Sequence, residues 1–165
     1  MGVSRLSWVF NLSLVITGLC LLSACVSLGL VLPGVLAKIG IAVGVICSLS
    51  LSLLGVFPMN KIEPHAFVAM MYFRTGLFMV ALFSLAIAFQ PASEMTLSRW
   101  YALAGLTSLL SLAAFLILAR KASKSEEEIL EVEETERESV SSIVVAEWAI
   151  FFTLVLWFIL IAIGL

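Results

Sequence analysis

The sequence predicts an all-α polytopic membrane protein: a transmembrane helical bundle of five spans, with a cytoplasmic acidic helical extension between spans 4 and 5. Three observations carry this expectation. Of the 165 residues, 62 % are hydrophobic and only 12 % are charged, where a soluble domain runs about 45–50 % and about 25 %. A chain this short leaves a large share of its residues at the surface, so water cannot be its main solvent. The apolar runs also have the required length, because a hydrocarbon core about 30 Å thick takes roughly 20 helical residues. Lipid forbids unpaired backbone, and the runs are too long for barrel strands, which leaves helices.

The spans follow in order. The first covers 8–30 and is broken by Pro33-Gly34, since proline lacks an N–H and glycine lowers helix propensity. The second covers 35–57 and stops at Pro58. The third covers 64–89 and opens on Pro64, which suits a first helical turn. It ends before Gln90-Pro91. The fourth covers 100–119 and is followed by Arg120-Lys121; the fifth covers 143–164. All five belong to a single integral membrane domain over 1–165. Ser27–Pro33 resembles Ser52–Pro58, but the two end helices of opposite direction and read as low complexity rather than a repeat.

Basic residues in short loops set orientation. Five spans put Arg5, Lys61, Arg120, Lys121, Lys124 and Arg137 on one side, against Lys38 and Arg99 on the other. The N-terminus is therefore expected in the cytoplasm and the C-terminus outside, in a multi-pass cell-membrane protein. Trp8 and Trp148 would lie near the inner interface, Trp100 and Tyr101 near the outer one, and Trp157 deeper.

Segment 120–142 is rich in glutamate and lacks Gly and Pro. Ser125-Glu126-Glu127-Glu128 resembles a helix start, with a serine cap and acidic residues at the positive end of the dipole. Ile129, Val132, Val140 and Ile143 fall along one stripe, and Glu133 to Arg137 is a favourable i,i+4 pair. The expectation is a helix that enters the fifth span without a break. Residues 125–142 would offer a docking surface for a basic protein partner or simply a solvated face.

The chemistry available is sparse. Aspartate is absent, and histidine occurs once. Cys20, Cys25 and Cys47 all lie in apolar runs and read as small packing residues rather than a disulfide frame. No metal-ligand spacing exists, so neither metal nor other cofactor is expected. Leu22-Ser23-Ala24-Cys25 looks like a lipoprotein signal, but the chain stays apolar to Leu36, which favours a retained first span.

Between helices already in lipid, close packing must supply the attraction. Gly40, Gly44, Ser48 and Ser52 recur every four residues on the second span. This small-residue face is expected to pack on another helix of the bundle, with a homodimer as the alternative. Thr107, Ser108 and Ser111 would bond across helices or to their own carbonyls.

Arg74 lies about ten residues past Pro64, or roughly 15 Å into its span. A charge there costs on the order of 2.5–3.5 kcal/mol by insertion scales. Glu147 lies about one turn into the fifth span. The two are expected to pair or share a polar pocket, the alternative being that each snorkels to the interface. A second concentration of polar atoms, Asn60, Lys61, Glu63 and His65, surrounds Pro58 and Pro64 at the inner interface. His65, Ala69, Tyr72 and Gly76 share one helix face, half a turn from Arg74.

Gly55-x-Phe57-Pro58 with His65 and then Phe73 resembles a prokaryotic family of small multi-span membrane proteins of unknown function, distantly similar to DRAM/Sfk-like membrane proteins. The family commonly has six spans, where five are counted here. The resemblance covers the second and third spans. It implies a helical bundle without established activity and hints at association with lipid.

Three function classes follow. The first is a non-catalytic accessory, assembly or lipid-associated membrane protein whose partners are membrane lipids, a protein or a second copy, and not nucleic acid. The second is a small channel or transporter that uses Arg74 and Glu147. The third, an enzyme, has the fewest candidate groups, Glu63 and His65 being the only pair near an interface.

Overall fold

The computed structural model describes residues 7–58, 61–128 and 133–165, with side chains in the paired ends of the last two helices described only to residue 121 and from residue 142. Five helices follow in order: α1 (Ser7–Val31), α2 (Val35–Val56), α3 (Ile62–Ala88), α4 (Trp100–Glu128) and α5 (Glu133–Gly164). A short 3-10 turn, Ala92–Glu94, sits between α3 and α4. No strand occurs among the described residues. Each helix contains a stretch long and apolar enough to cross a membrane: all of α1 to α3, then Trp100–Lys121 and Ser142–Gly164.

Several boundaries differ from those expected. Helix α3 starts at Ile62 rather than Pro64; Pro64 still sits in the first turn, where the missing N–H has no partner to lose. Helix α4 does not end before Arg120 but continues through Ser125 to Glu128. Ser125 therefore lies within α4 rather than ahead of a helix start. Helix α5 begins at Glu133 and runs without interruption into its apolar stretch. Residues 129–132 lie outside the described residues, as do the side chains of Val140 and of the Glu133–Arg137 pair.

The helices pack mainly on their neighbours in sequence. Their outward faces are apolar: Phe67, Phe78, Leu103, Trp148 and Phe152 are all more than half exposed. In water such a surface would drive aggregation; in hydrocarbon it is the expected solvent-facing surface. The interior is equally apolar, with Cys25, Cys47, Met79, Phe83, Leu112 and Trp157 fully buried.

The close approaches are made where a side chain is missing. A Cβ on Gly44 would lie 2.7 Å from Cys25 Cβ, and one on Gly40 would lie 2.9 Å from the Phe83 ring. The small-residue face of α2 thus meets α1 at Gly44 and α3 at Gly40. Further along, Gly18 of α1 sits against the Ser48 carbonyl and Ser52, whose hydroxyl donates to Val15 O at 3.4 Å. Ser48 donates to Gly44 O at 2.7 Å within its own helix. On α4, Gly105 admits the Trp157 indole and the Ser84 hydroxyl. Trp157 Nε1 donates to Tyr101 O at 3.0 Å and pins α5 to the start of α4. Thr107 and Ser111 bond to carbonyls of their own helix, Ala104 O at 2.7 Å and Thr107 O at 3.0 Å.

The connections are ordered by side chains that reach helix-end carbonyls. Gly34 has φ 88° and no atom near its α-carbon that would exclude a side chain, so backbone conformation alone favours glycine there. Lys38 Nζ donates to Gly29 O at 2.9 Å, in the last turn of α1. Gln90 is buried and donates to Ile87 O and Leu97 O, while its Oε1 accepts from Thr96 N at 2.8 Å and Thr96 Oγ1 at 2.8 Å. That one amide holds the connection between α3 and α4.

Gly44→Leu should destabilise the bundle by about 1–3 kcal/mol, the usual cost of overpacking. It would appear as a lowered thermal midpoint in detergent; an unchanged midpoint would show that this face is not a contact.

Candidate functional site

The polar residues that the sequence singles out gather around the α2–α3 connection. Helix α2 ends because Pro58 cannot supply an N–H to continue it. The last carbonyls of a helix have no intrahelical partner. Here the Phe57 carbonyl is taken by the side chain of His65, whose Nδ1 lies 2.7 Å away. A carbonyl only accepts, so Nδ1 carries the proton and Nε2 is the free nitrogen when the ring is neutral. Backbone bonds tighten the same turn: Lys61 N donates to Pro58 O at 2.9 Å and His65 N to Lys61 O at 3.1 Å. Gly55 lies against the Asn11 carbonyl of α1, a place no Cβ would fit.

Lys61 and Glu63 are exposed, and Asn60 lies outside the described residues. Phe73 faces inward, with its ring centroid 4.0 Å from Phe115 and 5.1 Å from Tyr72. The Gly55-x-Phe57-Pro58 stretch, His65 and Phe73 therefore form a latch between α1, α2 and α3 and a ring stack onto α4. Cys47 Sγ lies 3.7 Å from Tyr72 O, and Cys25 Sγ lies 3.3 Å from Met79 Sδ. Among the described residues, no group of three or more His, Cys or Glu gathers in a way that would hold a metal ion.

The two intramembrane charges make no ion pair with each other among the described residues. Arg74 and Glu147 are both exposed. The exposure of Arg74 has a simple geometric cause. Nine residues at about 100° per residue put Arg74 on the opposite side of α3 from His65. His65 shares the packed face with Val68, Gly76 and Phe83, whereas Arg74 shares the outward face with Phe67 and Phe78. Arg74 therefore points away from the packed side, near the middle of its helix.

Two surface depressions accompany these residues. One, of about 250 Å³, lies among Pro33, Gly34, Phe89 and Pro91 at the end of the bundle that carries Gln90. The other, of about 300 Å³, is an apolar groove between α3 and α4, lined by Ala81, Leu85, Ala88, Leu103 and Leu106 among others.

Sequence reasoning did not single out Lys38, Gln90 or Trp157 as partners of backbone carbonyls. Gln90 carried the one available signal, an amide placed between an apolar run and a proline. Ser84 and Ser108 are buried with hydroxyls that have no conventional partner among the described residues. For Ser84 the neighbour is Gly105, whose α-hydrogens make a weak C–H···O contact possible.

The family model for proteins of unknown function designated DUF998 matches residues 2–164. No curated protein and no solved structure matches the chain.

Two outcomes follow from this geometry. Replacing His65 with Ala leaves the Phe57 carbonyl without its partner and should cost about 1–3 kcal/mol, read as a lowered midpoint of unfolding in detergent. Charge reversal at Arg74 and Glu147 together should give no rescue: the two effects should add within about 0.5 kcal/mol, whereas a directly paired couple would show a larger interaction energy in the double-mutant cycle.

Proposed function

Because the chain belongs to the DUF998 family, for which no function is assigned, we propose from its geometry that it is a non-catalytic membrane protein of the lipid-associated or accessory kind, acting through its outward surface. The observation that carries this is the position of Arg74. An arginine in mid-span is costly, and such residues usually line a bundle interior or a wet path. This one is exposed, on a face otherwise formed by Phe67 and Phe78. A surface charge of this kind is useful to a protein that engages something lying beside it in the bilayer.

The packed interior supports the same reading. Met79, Phe83 and Trp157 are fully buried in the interior. The hydroxyls of Ser48, Ser50 and Thr75 are bonded to carbonyls of their own helices. A channel or transporter of the alternative kind would need Arg74 and Glu147 to line a common water-filled path. In this reading the protein sits in the cell membrane with its N-terminus in the cytoplasm and its C-terminus outside, as the basic residues favour. The glutamate-rich stretch 125–142 then lies in the cytoplasm, where it suits a basic protein partner, and a second copy is a further candidate partner.

Reconstitution into sealed liposomes tests the reading. Proton and potassium flux, followed with entrapped dyes, should match that of empty vesicles. Flux above that background, lost in Arg74→Gln, would overturn it in favour of transport.

A further inference from the structure

We propose that Arg74 and the α3/α4 groove together form a binding site for an anionic membrane lipid, with the phosphate on the guanidinium and one acyl chain along the groove. The proposal rests on the lipid-associated reading above and names its ligand. Three observations carry it.

The first is the shared face. Ala81, Leu85 and Ala88 follow Arg74 by seven, eleven and fourteen residues. At about 100° per residue each falls within about 40° of the Arg74 direction on α3. All three line the groove, with Leu103 and Leu106 forming its other wall on α4. The groove therefore begins about 10 Å beyond the Arg74 Cα along the helix and ends about 21 Å beyond it, at 1.5 Å per residue. A cation followed by an apolar trough along the same line matches an amphiphile with a charged head and a long tail. The Arg74 side chain leans toward the start of α3, away from the groove, so the glycerol unit and the first methylenes of the chain would span the stretch between head and trough.

The second is the size and lining of the groove. A volume of about 300 Å³ is smaller than a single turn of a helix about 10–12 Å across with a pitch of 5.4 Å. It admits a run of methylenes more readily than a partner helix. Small side chains, Ala81 and Ala88 on one wall and Ala102 on the other, leave the space open.

The third is the lack of a carboxylate for Arg74. Among the described residues, the acidic groups in the apolar stretches are Glu63, in the first turn of α3, and Glu147. Glu147 makes no ion pair with Arg74 among the described residues. A second copy would also offer Glu147, which lies five residues past Ser142, or about 7.5 Å in, whereas Arg74 lies about 18 Å past Ile62. The depths do not match. A lipid phosphate drawn inward from the nearer leaflet supplies the charge without a second protein, and arginine suits it through its forked donors.

The test uses the purified full-length chain equilibrated with vesicles of equal phosphatidylglycerol and phosphatidylcholine content, with the retained lipid counted by mass spectrometry. The expected result is about a five-fold preference for phosphatidylglycerol, the ratio one basic residue ordinarily confers at a membrane surface. Arg74→Gln should abolish the preference and Arg74→Lys should retain part of it. Ala81→Leu should reduce the phosphatidylglycerol retained while Arg74 is still present. Millimolar inorganic phosphate should not displace the lipid, because it has no chain for the groove. A preference that survives Arg74→Gln, or that is indifferent to Ala81→Leu, overturns the site. So does displacement by free phosphate. A Phe78→Cys variant that cross-links in membranes to another protein, with no lipid retained, assigns the face to a protein partner and also overturns it. These failures leave the liposome result untouched, so loss of this site and loss of the non-transporting reading are distinguishable.

Discussion

The structure depends on how the carbonyls at the ends of its membrane helices find hydrogen-bond donors. Each hairpin leaves a set of carbonyls without intrahelical partners, and such a carbonyl is costly wherever packing shields it from water. Three consecutive connections solve this with one side chain each. Lys38 reaches back to Gly29 in the last turn of α1. His65 reaches back to Phe57 at the end of α2. Gln90 serves Ile87 at the end of α3 and ties in Leu97 and Thr96 as well. In the first two cases the donor belongs to the opening turns of the next helix, so the bond that completes one helix also sets where its successor stands. A lysine at a helix C-terminus also complements the dipole.

Packing then follows from the hairpins. Once α1, α2 and α3 are folded back on one another, Gly44 and Gly40 decide how close they come, since apolar burial offers little drive inside lipid and contact distance matters most. Gly105 does the same for α4, admitting Trp157 from α5 and the Ser84 hydroxyl from α3. Of the buried hydroxyls, those of Ser48 and Ser50 bond within their own helix and those of Ser84 and Ser108 have no conventional partner among the described residues, while Arg74 and Glu147 are exposed. This inverts the arrangement of a transporter, where charge lines the path and grease faces out. Here the mid-span cation faces out beside Phe67 and Phe78, and the lipid phosphate proposed above is the counter-ion that such a position suits.

Much of the architecture was legible in the sequence because it follows from composition and length. Span number and the breaks at Pro33-Gly34 and Pro58 follow from rules that need no partner helix. The small-residue spacing on α2 is similarly local. The helix limits beyond Arg120 were not legible, because charge density there says nothing about where an already nucleated helix stops; continuing α4 past Lys121 adds one backbone bond per residue. Whether Arg74 and Glu147 share a pocket depends on the relative rotation of α3 and α5, and that depends on which face of α3 the neighbours claim. The helical phase between His65 and Arg74 was readable, but which of the two would face the packed side was not.

The sequence by itself determined the medium, the helical class, the five crossings and the membership of a matching family, because these depend on hydrophobicity summed over runs of residues. Only the tertiary structure decided which carbonyls Lys38, His65 and Gln90 serve, and that Arg74 shares its face with a groove between α3 and α4. Those facts depend on the rotation of each helix about its axis. That rotation is set by contacts between residues far apart in the chain, such as Gly44 with Cys25 and Gly105 with Trp157, and no local pattern encodes it.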